Sequence, residues 1–120
     1  MVSKDIIWLE ELRMKDIDQV GGKNASLGEM ISQLTHQGVS VPGGFATTAE
    51  AFRRFLQSHG LKERIDAALK KLDINDVKAL AHTGKQIREW VINTPFPADF
   101  EQHIKEAWQK LAEEAGSEAV

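Results

Sequence analysis

The sequence contains no cysteine. Disulfide bonds, thiolate catalysis and cysteine-ligated zinc are therefore excluded. No apolar run approaches the length of about 18 residues that a transmembrane helix needs, and the first residues lead into no signal-peptide core. We therefore expect a cytoplasmic protein that makes no contact with a membrane.

A surplus of one charge is also missing. The chain has 15 Lys and Arg against 18 Asp and Glu, for a net charge of −3, and both halves have a similar balance. Nucleic-acid binding requires a basic footprint that neither half supplies. We expect no nucleic-acid partner.

Histidines are few and scattered. None of the four has a neighbour at metal-ligand spacing, so the sequence predicts no metal site and no catalytic histidine. The four are His36, His59, His82 and His103.

Short strand-like and helical patterns alternate over residues 1–60. Residues 6–9 are β-branched and aromatic, which predicts a strand. A helix is expected to begin at Asn24 or Ser26, since Ser26 and Glu29 have capping-box spacing, and to stop at Gly38. The pattern indicates an α/β segment with its glycines at the turns.

The same alternation continues to residue 60. Residues 39–41 alternate as a strand does, and the glycine-rich turn 42–44 follows. Thr47 and Glu50 again have capping-box spacing, which predicts a helix that ends at Gly60.

Three amphipathic helices are predicted over residues 61–115. The apolar periodicity places them at 61–72, 77–91 and 100–115, with Asp73 and Asn75 as candidate caps of the second. No glycine cluster or polar constellation accompanies them, so we interpret them as packing helices.

The predicted fold is therefore α+β and predominantly helical. We expect an α/β part over 1–60, three helices over 61–115 and a frayed tail over 116–120.

The segment Gly21–Gly22–Lys23 is the first candidate site, because it directly precedes a predicted helix. Glycines allow backbone N–H groups to approach a ligand, a helix N-terminus adds free donors and partial positive charge, and lysine adds a full charge. This combination suits a phosphate chain. Taken alone, the same residues also fit an ordinary turn with a surface lysine.

The segment is not a Walker A loop. That motif needs glycine at position 17 and Ser or Thr at position 24. This chain has Ile17 and Asn24 there, so a P-loop ATPase is not expected.

Residues 42–45 are the second candidate. The two glycines could shape a ligand pocket, or the segment could be a tight turn that places Phe45 in the core. The sequence leaves both interpretations open.

Two longer motifs contain these turns. Residues 20–30 read VGGKNASLGEM, and residues 41–52 read VPGGFATTAEAF. In this order and at this separation they resemble the amino terminus of the phosphoenolpyruvate synthases, within the pyruvate phosphate dikinase family. The resemblance continues through 86–91 and 94–96, so in effect it covers the whole chain.

The resemblance implies the N-terminal portion of an ATP-grasp-like nucleotide-binding domain. Enzymes of this kind convert ATP, pyruvate and water to AMP, phosphoenolpyruvate and phosphate with Mg²⁺. Their phosphohistidine and pyruvate-binding domains would lie in the remainder of the parent enzyme. We therefore expect an N-terminal fragment that contributes to ATP binding and is not catalytic alone.

The resemblance also implies site residues. The lysine of the Gly-Gly-Lys motif contacts ATP phosphates in the family, and here it is Lys23. The expected ATP-binding set is Gly21, Gly22, Lys23 and Asn24. The ligands of Mg²⁺ are expected outside this chain.

Two alternatives remain open. The chain could belong to a pyruvate phosphate dikinase or a rifampicin phosphotransferase, which share related motifs. It could also be a helical interaction module that retains the family sequence without the chemistry.

Overall fold

A computed structural model describes residues 5–116. Most of the described chain is helical, and one small sheet accompanies the helices, so the predicted α+β fold is confirmed. The strands and helices in chain order are β1 Ile6–Trp8, α1 Ile17–Val20, α2 Gly22–His36, β2 Phe45–Thr47, α3 Ala49–Gln57, α4 Leu61–Lys71, α5 Val77–Asn93 and α6 Ala98–Ala115. Short 3₁₀ turns occupy Leu9–Glu11, Met14–Asp16 and Ser58–Gly60. The predicted frayed tail, apart from Gly116, lies outside the described residues.

The chain folds as two compact units. Within the described residues, the first unit comprises 5–52 together with 98–116, and the second comprises Arg53–Pro97. The first unit therefore combines the sheet, α1 and α2 with α6.

The sheet is a single antiparallel pair in the first unit. Ile6 lies opposite Thr47, and Trp8 lies opposite Phe45 with the two rings edge to face at 5.7 Å. The Leu9 N–H donates to the Gly44 carbonyl at 2.9 Å, which extends the pairing beyond Trp8. The predicted strand at 6–9 is confirmed.

The predicted strand at 39–41 is wrong. Those residues are irregular, and the strand that pairs with β1 is Phe45–Thr47. The Val39 N–H donates to the Leu34 carbonyl at the end of α2, and the Val39 side chain is 46% exposed. A strand needs a partner for its backbone groups, and β2 already provides the partner of β1.

Helix α2 begins earlier than the sequence suggested. It starts at Gly22, so Ser26 and Glu29 lie inside the helix and the predicted capping box is wrong. The Glu29 carboxylate instead accepts a hydrogen bond from the Met14 N–H at 3.3 Å. The stop near Gly38 is confirmed, because α2 ends at His36 and Gly38 has φ of +78°.

Two other predicted caps are displaced by a residue or more. The Thr48 hydroxyl, not that of Thr47, accepts from the Ala51 N–H at 3.2 Å at the start of α3. The Asp76 carboxylate, not Asp73 or Asn75, accepts from the Ala79 N–H at 3.1 Å at the start of α5. In each case the cap is the residue directly before the helix, and Asp76 has the extended backbone typical of that position.

The backbone of α2 approaches the segment 9–12 very closely at Gly28. A Cβ atom on Gly28 would lie 2.5 Å from Leu12 Cβ and 2.7 Å from the Leu9 carbonyl oxygen. Leu12 is 1% exposed, and it belongs to a buried cluster that includes Val20 and Ala25. Only glycine allows this contact, so Gly28 fixes how α2 packs on the segment that follows β1.

Asp5 and His103 join the beginning of the first unit to α6. The Asp5 carboxylate is 3% exposed, and its Oδ2 lies 2.6 Å from His103 Nδ1. The two residues are 98 positions apart in the sequence. Both this pair and the sheet therefore connect parts of the first unit that are distant along the chain.

The second unit is a helical hairpin with a small aromatic cluster. Helices α4 and α5 pack together, and the Arg64 guanidinium lies 5.1 Å from the centre of the Trp90 ring. Phe55 is buried and packs edge to face on Phe96 at 5.5 Å. The helices predicted at 61–72 and 77–91 are confirmed, as is α6 in the first unit.

We expect Gly28→Ala to destabilise the protein by about 1–3 kcal/mol, because the added methyl group overlaps backbone atoms that cannot move independently. Gly84→Ala in α5 is the matched control. Its new methyl group would meet only Arg88 Nη1 at 3.3 Å, the end of a flexible side chain, and alanine is favoured over glycine within a helix by about 1 kcal/mol. Urea unfolding measures both. Equal effects of the two substitutions would contradict the close packing at Gly28.

We expect His103→Ala to lower the free energy of unfolding by about 1–3 kcal/mol, because a hydrogen bond to a buried carboxylate is lost. His82→Ala, which removes an exposed histidine of α5, should change it by less than about 0.5 kcal/mol. Thermal and urea unfolding provide the comparison. An unchanged stability in the His103 variant would show that the Asp5 pairing does not hold α6 in place.

Candidate nucleotide-phosphate site

A sharp turn at a single glycine separates α1 from α2. Gly21 has φ of +85° and ψ of 162°, a backbone conformation that residues other than glycine rarely adopt. Its N–H donates to the Ile17 carbonyl at 2.7 Å and closes α1, while its carbonyl accepts from the Ala25 N–H at 3.1 Å and opens α2. Gly21 thus takes part in the last hydrogen bond of α1 and in the first hydrogen bond of α2.

The turn presents an open face of backbone donors. Gly21, Gly22 and Lys23 are exposed, and apart from the adjoining backbone no atom lies within 4 Å of the position that a Cβ would take on either glycine. The first N–H groups of a helix have no acceptor within it, and Gly21, which occupies the cap position of α2, has no side chain that could accept from them. These donors, the dipole of the 15-residue α2 and the Lys23 ammonium all favour an anion.

Asn24 has a different place in the turn. It is half-buried, and its Nδ2 donates to the Val20 carbonyl at 3.0 Å. The bond joins the first turn of α2 to the last residue of α1. The four predicted residues 21–24 therefore surround one turn, with three on its open face and Asn24 bonded across it.

The segment before α1 supports this turn from the side. The Met14 N–H bonds to Glu29, and the Ser26 hydroxyl lies 3.6 Å from the Met14 sulfur. Arg13 and Asp16 frame the segment, with the Arg13 N–H donating to the Asp16 carboxylate at 3.0 Å. These contacts were not predicted from the sequence, although the spacing of Arg13 and Asp16 is that of a capping box.

The second candidate turn lies elsewhere in the first unit. Gly43 and Gly44 line an open cavity of about 320 Å³ together with Trp8, Arg13 and His36. His36 ends α2, and Lys23 is near its start. A helix rises about 1.5 Å per residue, which separates the two ends by roughly 20 Å. The structure therefore does not bring the two glycine-rich turns together.

Arg13 is held in place at this cavity by two hydrogen bonds to main-chain carbonyls. Its Nη1 donates to the carbonyls of Glu10 at 2.9 Å and Leu12 at 2.7 Å. Phe45 is half-buried against Trp8, so the 42–45 segment both positions an aromatic side chain and borders the cavity.

The described residues contain neither a metal-binding cluster nor a membrane-spanning helix. Among residues 5–116, no group of three or more His, Asp or Glu side chains could hold a metal ion. Of the helices within the described range, none has both the length and the apolarity needed to cross a membrane.

Comparison with known proteins identifies the family of the chain. Residues 17–120 match the family described as pyruvate phosphate dikinase, AMP/ATP-binding domain. The chain belongs to this family. The match begins at the first residue of α1, so the AMP/ATP-binding domain includes the Gly21 turn, Lys23 and Asn24.

Similar proteins in the pyruvate phosphate dikinase family are named phosphoenolpyruvate synthases. One from Neisseria meningitidis serogroup B is 60% identical over 97% of this chain. Those from Pseudomonas aeruginosa and Escherichia coli K12 are 57% and 54% identical, each over 89% of the chain. The chain spans only 15% of the length of the first relative and 14% of the other two.

We expect Gly21→Ala to destabilise the protein by about 1–3 kcal/mol, the usual cost of a residue held in a sparsely populated backbone conformation. Gly22→Ala is the matched control, because Gly22 has the helical conformation and equally open surroundings. It should leave stability unchanged or raise it. Urea unfolding of the two variants tests this, and a Gly22 variant as unstable as the Gly21 variant would refute the assignment of the strained conformation to Gly21.

Proposed function

We propose that the chain is the N-terminal part of the ATP-grasp-like domain of a phosphoenolpyruvate synthase and contributes to ATP binding. The parent reaction converts ATP, pyruvate and water to AMP, phosphoenolpyruvate and phosphate. The observation that carries the proposal is the open, lysine-bearing turn at Gly21, which lies inside a matched AMP/ATP-binding domain. The 54–60% identity to proteins named phosphoenolpyruvate synthase favours this activity over that of other family members.

Lys23 is the residue proposed to meet the ATP phosphates. Its exposed ammonium would neutralise phosphate oxygens, and the N–H groups at the start of α2 would donate to the same anion. Gly21 and Gly22 leave the space that such an approach requires. Phosphoryl transfer depends mainly on positioning and charge stabilisation, and these are the contributions that this turn can make.

Mg²⁺ would accompany ATP and supply further charge neutralisation. We propose that the ligands of Mg²⁺ lie in the remainder of the parent enzyme. The phosphohistidine domain and the pyruvate site would lie there as well. The chain alone would then bind ATP weakly and catalyse no transfer. A cytoplasmic location accords with this metabolic role.

A helical interaction module is the second candidate. Three aliphatic side chains of the second unit, Ile74, Val77 and Ile92, are 73%, 76% and 79% exposed. Exposed aliphatic groups of this size can serve a partner as well as the rest of a larger domain. Binding of Mg²⁺–ATP at the Gly21 turn distinguishes the two functions. A fragment of the enzyme is expected to bind the nucleotide there, and an interaction module without the chemistry is not.

We expect Mg²⁺–ATP, added stepwise and monitored by NMR, to change the chemical shifts of the backbone amides of residues 21–29. Lys23→Ala should weaken the binding by at least about tenfold, since a charge-assisted phosphate contact is lost. Lys85→Ala, which removes an exposed lysine of α5, is the control and should bind as the unaltered chain does. Shifts that persist at the same affinity in the Lys23 variant would contradict the proposed phosphate site.

A further inference from the structure

The carbonyl group of Val20 receives an unusual partner. In a continuous helix, the main-chain N–H of residue 24 would donate to the carbonyl of residue 20. The break at Gly21 ends α1 at Val20 and starts α2 at Gly22. The side-chain amide of Asn24 takes the Val20 carbonyl instead, at 3.0 Å.

This bond restrains the residue with the most conformational freedom in the turn. Glycine fixes its own dihedral angles less than any other residue, so Gly21 alone does not determine how the start of α2 is aimed. Val20 is buried in the core cluster of the first unit. The Asn24 bond therefore attaches the first turn of α2, on the far side of Gly21, to a fixed point in the core.

The same bond leaves the open face of the turn to other groups. Lys23 is exposed, whereas Asn24 is half-buried with its amide nitrogen bonded to the main chain. The first main-chain N–H groups of α2 remain without a helical acceptor because of the break that Asn24 spans.

We propose that Asn24 is a positioning residue for the ATP phosphates and not a phosphate ligand. Its side chain holds the Gly21 turn so that Lys23 and the first N–H groups of α2 are aimed at the anion before it binds. This inference rests on the proposed phosphate-binding function of the turn.

Asn24→Ala is the informative substitution. Alanine has a higher helix propensity than asparagine, so the change removes the bond to Val20 without weakening α2 itself. Gln33→Ala is the matched control, because it replaces an exposed amide side chain in the same helix. Two quantities are measured for each variant: hydrogen exchange of the Gly21 and Ala25 amides, which are hydrogen-bonded in the free protein, and the dissociation constant for Mg²⁺–ATP.

The expected result combines both measurements. In the Asn24 variant the Gly21 and Ala25 amides exchange faster in the free protein, and ATP binds about three- to tenfold more weakly, the range that one ordinary hydrogen bond allows. The Gln33 variant matches the unaltered chain in both.

Each other outcome overturns the inference in a recognisable way. Weaker ATP binding with unchanged exchange would make Asn24 a direct ligand. Faster exchange with unchanged affinity would make its role structural only, and no change in either would remove the role altogether. Failure of the proposed function gives a different result from failure of this inference. In that case the Lys23→Ala variant and the unaltered chain would bind ATP with equal affinity, or neither would bind it.

Discussion

The contact between the backbone of α2 at Gly28 and the segment 9–12 determines where the other features of the first unit lie. Because Gly28 has no side chain, the helix lies against the Leu9 and Leu12 main chain instead of standing one side chain away. That contact fixes α2 relative to β1, which is continuous with the segment. One end of α2 then presents the Gly21 turn, and the other borders the cavity at Gly43 and Gly44.

Regular elements with strong periodicity could be predicted from the sequence, and their exact starts could not. The helices of the second half were predicted from apolar spacing, and the strand near Ile6 was predicted from its β-branched and aromatic residues. The caps were misplaced because several adjacent residues, such as Thr47 and Thr48, have equally suitable side chains. Only the backbone conformation set by the preceding strand or loop selects one of them. The pairing of β1 with Phe45–Thr47 likewise depends on contacts between distant residues that periodicity does not encode.

The turn at Gly21 could be named as a candidate site from the sequence because the features that suggest it are local. Two glycines, a lysine and a following helix favour an anion, and the same residues taken alone also fit an ordinary turn with a surface lysine. The bond from Asn24 to Val20 was not predictable, since it forms only because the helix is broken at the glycine between them. Asn24 was predicted as a site residue from the family resemblance. In the structure its amide nitrogen donates to the Val20 carbonyl within the turn.

The arrangement of the two units along the chain has a consequence for the order of folding. Residues 53–97 form the second unit as one uninterrupted stretch, whereas the first unit needs residues before and after it. As a polypeptide emerges from the ribosome, the hairpin of α4 and α5 can assemble while α6 is still being synthesised. The Asp5–His103 pair, which closes a loop of 98 positions, can form only after residue 103 has been synthesised. Until α6 is synthesised, the first unit lacks the helix that contacts β1, whereas every residue of the second unit is already present.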